Sequence, residues 1–173
     1  PGIACTVLVA DCLPVLFAAP GGRGVAAAHA GWRGLAGGVL EATVASLTRA
    51  SGCAAGELHA WLGACIGPRA FEVGDDVLQG FGVSASAPGP HFAPGLQAGK
   101  WWADLPALAR ARLNAAGVHR LSGGHWCTVE DRSRFFSFRR DRITGRMAAS
   151  VWIHPDARHQ APSSPSPRGR GLG

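Results

Sequence analysis

Residues 4–18, ACTVLVADCLPVLFA, are two apolar runs joined by the four-residue break Ala10-Asp11-Cys12-Leu13. Runs of five or six apolar and β-branched residues read as short strands buried on both faces, Ala4 to Val9 and Pro14 to Ala18. A parallel pair needs a crossover of about a dozen residues or more, and this break is too short to carry one. Downstream, Val25 to His29 (VAAAH) reads as a third strand whose small side chains suit a tightly packed interior. From Gly34 to Ala50 the residues Leu35, Val39, Leu40, Val44 and Leu47 recur at helical spacing, and Gly52 supplies a stop. Strands and helices thus alternate only in part. An α+β fold, a mixed β-sheet flanked by helices, fits better than a doubly wound parallel sheet.

Working outward, Leu58 to Leu62 reads as a strand that ends in the turn Gly63-Ala64-Cys65-Ile66-Gly67-Pro68, and a short helix is expected from Gly74 to Gly80. Residues 82–99 are rich in Gly, Pro, Ala and Ser and read as a surface loop. Asp104 to Ala116 is the strongest helix, with Asp104 as N-cap, Pro106 in the first turn and Gly117 as the stop. Leu121 and Phe135 to Phe138 mark further short elements, and Met147 to Ile153 reads as a closing strand. Residues 1–153 therefore form one domain. Residues 154–173, dominated by Pro, Ser, Arg and Gly, read as a disordered tail.

Composition narrows the class. A chain of 173 residues with 47% hydrophobic content can bury a core without staples. No apolar stretch reaches the roughly 18 residues a membrane span needs, so no membrane partner is expected. The net charge is +6, but three Arg and one Asp of the last twenty residues contribute +2 of it, and the remaining basic residues are dispersed. Nucleic-acid binding is not favoured by such a pattern. Five cysteines at irregular spacing, without a C-x-x-C, point to a reducing compartment and a cytoplasmic location.

Chemistry concentrates at two strand ends. Cys12 sits where the first strand breaks, and His29 ends the third strand just before Gly31-Trp32-Arg33-Gly34. A thiol and an imidazole so placed suit either a nucleophile–base pair or two ligands of a soft metal. Arg33, at a helix start, is a candidate anion-binding residue. Asp11 could orient His29, accept a proton, or simply form an Asx turn at the strand end.

These residues also carry a resemblance. ADCLPVLF (10–17), AHAGWRGL (28–35), Ile66-Gly67-Pro68 with Phe71-Glu72-Val73-Gly74, and FFSFRRDRITGRMA (135–148) resemble, in order, the YfiH-type laccase-domain family. Its members were once called multicopper polyphenol oxidases and are now associated with purine nucleoside phosphorylase activity. The resemblance implies the family's layered α+β fold. It implies zinc on Cys12 and His29, with a third histidine ligand from a segment upstream of Pro1. It further implies a purine nucleoside and phosphate as partners, with phosphorolysis of adenosine, inosine and S-methyl-5′-thioadenosine and a secondary adenosine deaminase activity. Ser137 and Arg139, within the matching C-terminal block, are expected in the substrate pocket.

Departures are few. Val9, Ala64, Phe71 and Phe138 replace commoner Thr, Pro, Tyr and Tyr, and the chain has no tyrosine at all. The start Pro1-Gly2-Ile3, directly in front of a strand, reads as that of an enzyme fragment lacking the N-terminal part of the domain, with an inactive remnant that keeps only the fold as the non-enzymatic alternative. Two other functions compete: a metal-free Cys12–His29 amidase in peptidoglycan-precursor editing, and a copper-dependent polyphenol oxidase. Seven scattered histidines with no H-x-H pair make copper the weaker cofactor.

Overall fold

The computed structural model describes residues 2–155. The expected tail falls almost entirely outside them. The two apolar runs of the opening stretch form β1 (Ala4–Val9) and β2 (Leu13–Ala18), and the alanine-rich run forms β3 (Val25–Ala30). After them come β4 (His59–Leu62), β5 (Glu72–Gly74), β6 (Phe92–Pro94), β7 (Lys100–Ala103), β8 (Arg120–Gly123) and β9 (Met147–Trp152). The helices are α1 (Trp32–Ala36), α2 (Val39–Ser51), α3 (Asp75–Gly80), α4 (Leu105–Ala115) and the single turn α5 (Phe138–Asp141).

The fold is a mixed α+β arrangement of three sheets. The central one has the order β3-β2-β4-β8, with β2 antiparallel to both β3 and β4, and β4 parallel to β8. Alternation along β2 explains its two faces. Leu13, Val15 and Phe17, with Ala28 and Ala30 of β3 and Ala60 and Leu62 of β4, turn to one side. There they pack into a single core with Leu40, Val44 and Leu47 of α2 and Leu105, Leu108 and Leu113 of α4. Pro14 and His29 pair across β2 and β3 and belong to the opposite face. The antiparallel ribbon β1–β9 lies against β2 and β3.

β1 is not buried on both faces as its apolar run suggested. Ala4, Thr6 and Leu8 are exposed and only Val9 is buried, because the β1–β9 ribbon packs against β2 and β3 on one face. The helix expected from Gly34 to Ala50 is two helices. Gly38 adopts φ +88°, which interrupts the hydrogen-bonded turn and lets α2 start afresh. The loop expected over 82–99 contains β6, which joins β5 and β7 in a small antiparallel sheet. α4 matches its sequence signals: Asp104 Oδ1 accepts the Ala107 N–H at 2.9 Å.

Candidate active site

The break between β1 and β2 is a tight corner. Asp11 takes φ +87°, one of two non-glycine residues with positive φ among those described. Asx residues tolerate this region better than others, which suits Asp here. The corner is pinned by three long-range hydrogen bonds. Thr128 Oγ1 donates to Asp11 Oδ1 at 2.6 Å, the Arg139 N–H donates to Oδ2 at 2.6 Å, and the Ile66 N–H donates to the Asp11 carbonyl at 2.9 Å. Both carboxylate oxygens are thus engaged by the 128 and 139 segments rather than by His29.

Cys12 follows, half-buried, while His29 at the end of β3 is exposed. Gly31 brings them together. A Cβ built on Gly31 would stand 2.9 Å from Cys12 Sγ and 3.9 Å from His29 Nε2, so thiol and imidazole converge on the space that a side chain at 31 would fill. Burial, and then the Asp11 carboxylate, push the Cys12 thiol above its ordinary pKa, and Arg146 opposes them. That environment favours the neutral thiol over the thiolate in the metal-free protein.

Thiolate and imidazole match zinc in kind but not in number. Among the described residues no group of three or more His, Cys, Asp or Glu could hold a metal ion. These residues alone do not make a complete zinc site.

Gly31 adopts φ −63° and ψ 160°, which alanine also accepts, so the cost of a methyl group there is local. Gly31→Ala is expected to keep the wild-type melting temperature within a few degrees. Its methyl displaces Cys12 Sγ, and bound zinc measured after dialysis should fall well below the wild-type content.

Arg33 is exposed, its guanidinium 4.2 Å above the Trp32 ring, and among the described residues it has no carboxylate partner. The anion-binding role expected of a helix start reduces to this side chain, because α1 is only five residues long. Arg139 is held at two points: its Nη1 donates to the Glu72 carbonyl at 3.0 Å, and its guanidinium lies 5.6 Å from the Phe71 ring centre. Ser137 departs from its expected place in the substrate pocket. It is fully buried, and its Oγ accepts the Arg140 N–H at 3.1 Å as the N-cap of α5.

Sequence reasoning missed Thr128 and Arg140. Arg140 donates from Nη1 to the Thr128 carbonyl at 2.8 Å and from Nη2 to the Phe135 carbonyl at 3.0 Å, and it pairs with Asp141 at 2.7 Å. It thereby ties the 128 segment to α5, behind Asp11. Cys65 lies near this network, fully buried, with its thiol pushed up by burial and by the neighbouring Cys127. A cleft of about 450 Å³ opens beside Gly67, lined by Arg69, Asp104, Arg110, His125 and Trp126 among others, but not by Cys12 or His29.

Comparison with known proteins gives the family of the chain. The chain is 52% identical over 153 residues to the purine nucleoside phosphorylase PA4543 of Pseudomonas aeruginosa, covering 88% of this chain and 62% of that protein. It is 49% identical over 157 residues to the purine nucleoside phosphorylase YfiH of Escherichia coli, covering 88% and 60% respectively. Among solved structures, the Neisseria meningitidis protein NMB0706 matches with a TM-score of 0.77 and 50% identity, over 87% of this chain and 60% of that one. A YfiH protein of Bacillus licheniformis matches with a TM-score of 0.81 and 31% identity, over 89% of this chain and 59% of that one. The chain thus spans about 60% of the length of these relatives. The family model described as multi-copper polyphenol oxidoreductase laccase matches residues 1–154. With the Cys12–His29 corner, the Gly31 cradle and the α5 block falling within that match, the chain belongs to the multi-copper polyphenol oxidoreductase laccase family, in its YfiH branch.

Proposed function

We propose that this chain carries part of the active site of a purine nucleoside phosphorylase acting on adenosine, inosine and S-methyl-5′-thioadenosine. The observation that carries the reading is the convergence of Cys12 Sγ and His29 Nε2 over Gly31, in a chain about half identical to proteins named purine nucleoside phosphorylase. In phosphorolysis a phosphate oxygen attacks C1′ of the ribose and forms the new C1′–O bond. The C1′–N9 bond breaks with its electron pair going to the purine, which leaves after taking a proton at nitrogen.

This chain's residues contribute in three ways. Arg33, without a carboxylate partner among the described residues, holds the phosphate dianion through charge-assisted hydrogen bonds. Arg139, whose N–H bonds to Asp11 and whose guanidinium is held by Glu72 and Phe71, is the second candidate for balancing the phosphate charge. Asp11 keeps Cys12 and Arg139 in register by accepting the Arg139 N–H. Zinc on Cys12 and His29, completed by ligands from outside the described residues, would supply Lewis-acid polarisation when bound. Copper is the alternative ion. Adenosine deamination, with water displacing ammonia at C6, is the proposed side reaction. A cytoplasmic location belongs to the same proposal.

The metal-free amidase reading needs Cys12 as a thiolate activated by His29. The environment of Cys12 works the other way, since burial and Asp11 both favour the protonated thiol. Chromatography of adenosine reactions with and without phosphate separates the readings. Adenine formed only with phosphate is the expected outcome. Turnover of an amide substrate by zinc-free protein, with no purine released, would replace the phosphorylase reading by the amidase one.

A further inference from the structure

β1 and β9 stay paired to the end of the ribbon, with Val9 opposite Met147. Arg146 directly precedes Met147 and Ala10 directly follows Val9, so both stand at the end of the ribbon from which the turn carrying Asp11 and Cys12 departs. The chain arrives there by an unusual path. Arg142 has φ 62° and ψ −59°, and the Ile143 N–H donates to the Asp141 carbonyl at 2.7 Å. This is a γ-turn of the positive-φ kind, rare and strained in proteins. Gly145 is pressed onto an aromatic ring, where a Cβ would stand 2.9 Å from Phe136 Cε2. The backbone from 142 to 146 is therefore held at both ends, yet its side chains at 142, 143 and 146 are exposed.

Arg146 itself has little structural employment. Its Nη1 donates to the Thr144 and Gly145 carbonyls at 3.2 and 3.1 Å, and it forms no ion pair among the described residues. The second guanidinium edge is uncommitted, a donor pair that suits an oxyanion. An arginine that follows a strained turn, has no carboxylate partner among the described residues and stands at the ribbon end that leads into Asp11 and Cys12 is an arrangement that folding alone does not require.

We propose that Arg146 is a phosphate-binding residue of the Cys12–His29 site, holding the incoming phosphate from the β9 side of the corner. The proposal deepens the phosphorylase reading above and rests on it for the identity of the anion. Because the guanidinium bonds only to its own turn, Arg146→Gln should fold normally.

The test uses the full-length protein carrying this sequence, with Arg146→Gln and Arg146→Lys variants. Steady-state rates with adenosine at varied phosphate are expected to show the phosphate KM raised roughly tenfold or more in Arg146→Gln, from the loss of a charge-assisted contact. The adenosine KM should stay near the wild-type value, and Arg146→Lys should recover part of the loss. An unchanged phosphate KM in Arg146→Gln, beside phosphate-dependent wild-type turnover, overturns the role of Arg146 and leaves the phosphorylase reading standing. Titration calorimetry with inorganic phosphate decides the point without turnover. Binding about tenfold weaker in Arg146→Gln supports the assignment, and equal binding refutes it, whichever reaction the enzyme performs.

Discussion

Cys12→Ala and His29→Ala are each expected to lower phosphate-dependent nucleoside turnover by more than about 100-fold. Loss of a residue that merely orients a metal ligand already costs about 10- to 100-fold, and with Cys12 and His29 in their proposed role as ligands their removal should exceed that. Neither change should unfold the protein. His29 is exposed at the end of β3, and Cys12 is only half-buried, so little packing is lost. His59 serves as the control: it is exposed, bonded to Ser122 at 2.9 Å, and outside the corner. His59→Ala should keep wild-type rates. Turnover and melting curves measured on the three variants together separate loss of chemistry from loss of fold. Near-wild-type turnover in Cys12→Ala would remove the thiol from the site.

The largest effect on stability is expected at Asp11. Asp11→Ala removes the acceptor for two donors, the hydroxyl of the fully buried Thr128 and the Arg139 N–H. Each donor stranded in the interior costs about 1–3 kcal/mol. Alanine at φ +87° adds about 1–2 kcal/mol more. The sum, roughly 3–8 kcal/mol, is a large part of the 5–15 kcal/mol that holds a typical domain together. Asp11→Gly loses the same hydrogen bonds but accepts the backbone conformation, so it should be about 1–2 kcal/mol less damaging than Asp11→Ala. Denaturant unfolding of the pair measures this difference directly. Asp11→Asn keeps an acceptor oxygen and a residue tolerant of this backbone, and most of its turnover should survive. A complete loss of activity in a stable Asp11→Asn would instead make the carboxylate a proton acceptor.

Much of the fold can be read locally. The apolar runs at 4–9 and 13–18 are strands, β1 and β2, but they do not pair with each other: the break turns the chain out of the β1–β9 ribbon into the central sheet, where β2 pairs with β3 and β4. α4 is legible because Asp104, Pro106 and Gly117 punctuate a clear amphipathic pattern. Two features escaped for definite physical reasons. The break between α1 and α2 leaves the apolar spacing of Leu35, Val39 and Leu40 intact, and only the conformation of Gly38 reveals it. The β5-β7-β6 sheet consists of strands three or four residues long, stabilised by pairs such as Val73 opposite Trp101 and Phe92 opposite Ala103. Such pairings follow from tertiary packing, not from periodicity.

The site divides in the same way. Cys12 and His29 stand out because each ends a strand, and Gly31 brings them together. The partners of Asp11 lie 117 and 128 positions away in sequence, where no local pattern reaches. The N-cap role of Ser137 is hidden for a related reason: the string Ser-Phe-Arg-Arg-Asp does not distinguish a hydroxyl offered to substrate from one that caps a single helical turn.

The most direct test of the central claim is a phosphorus NMR spectrum of the zinc-loaded, full-length protein incubated with adenosine and inorganic phosphate. A ribose 1-phosphate resonance that grows as adenine is released, and that is absent with Cys12→Ala, is the predicted result. A phosphate signal unchanged over the same period, with folded and zinc-loaded protein, would contradict the phosphorylase reading.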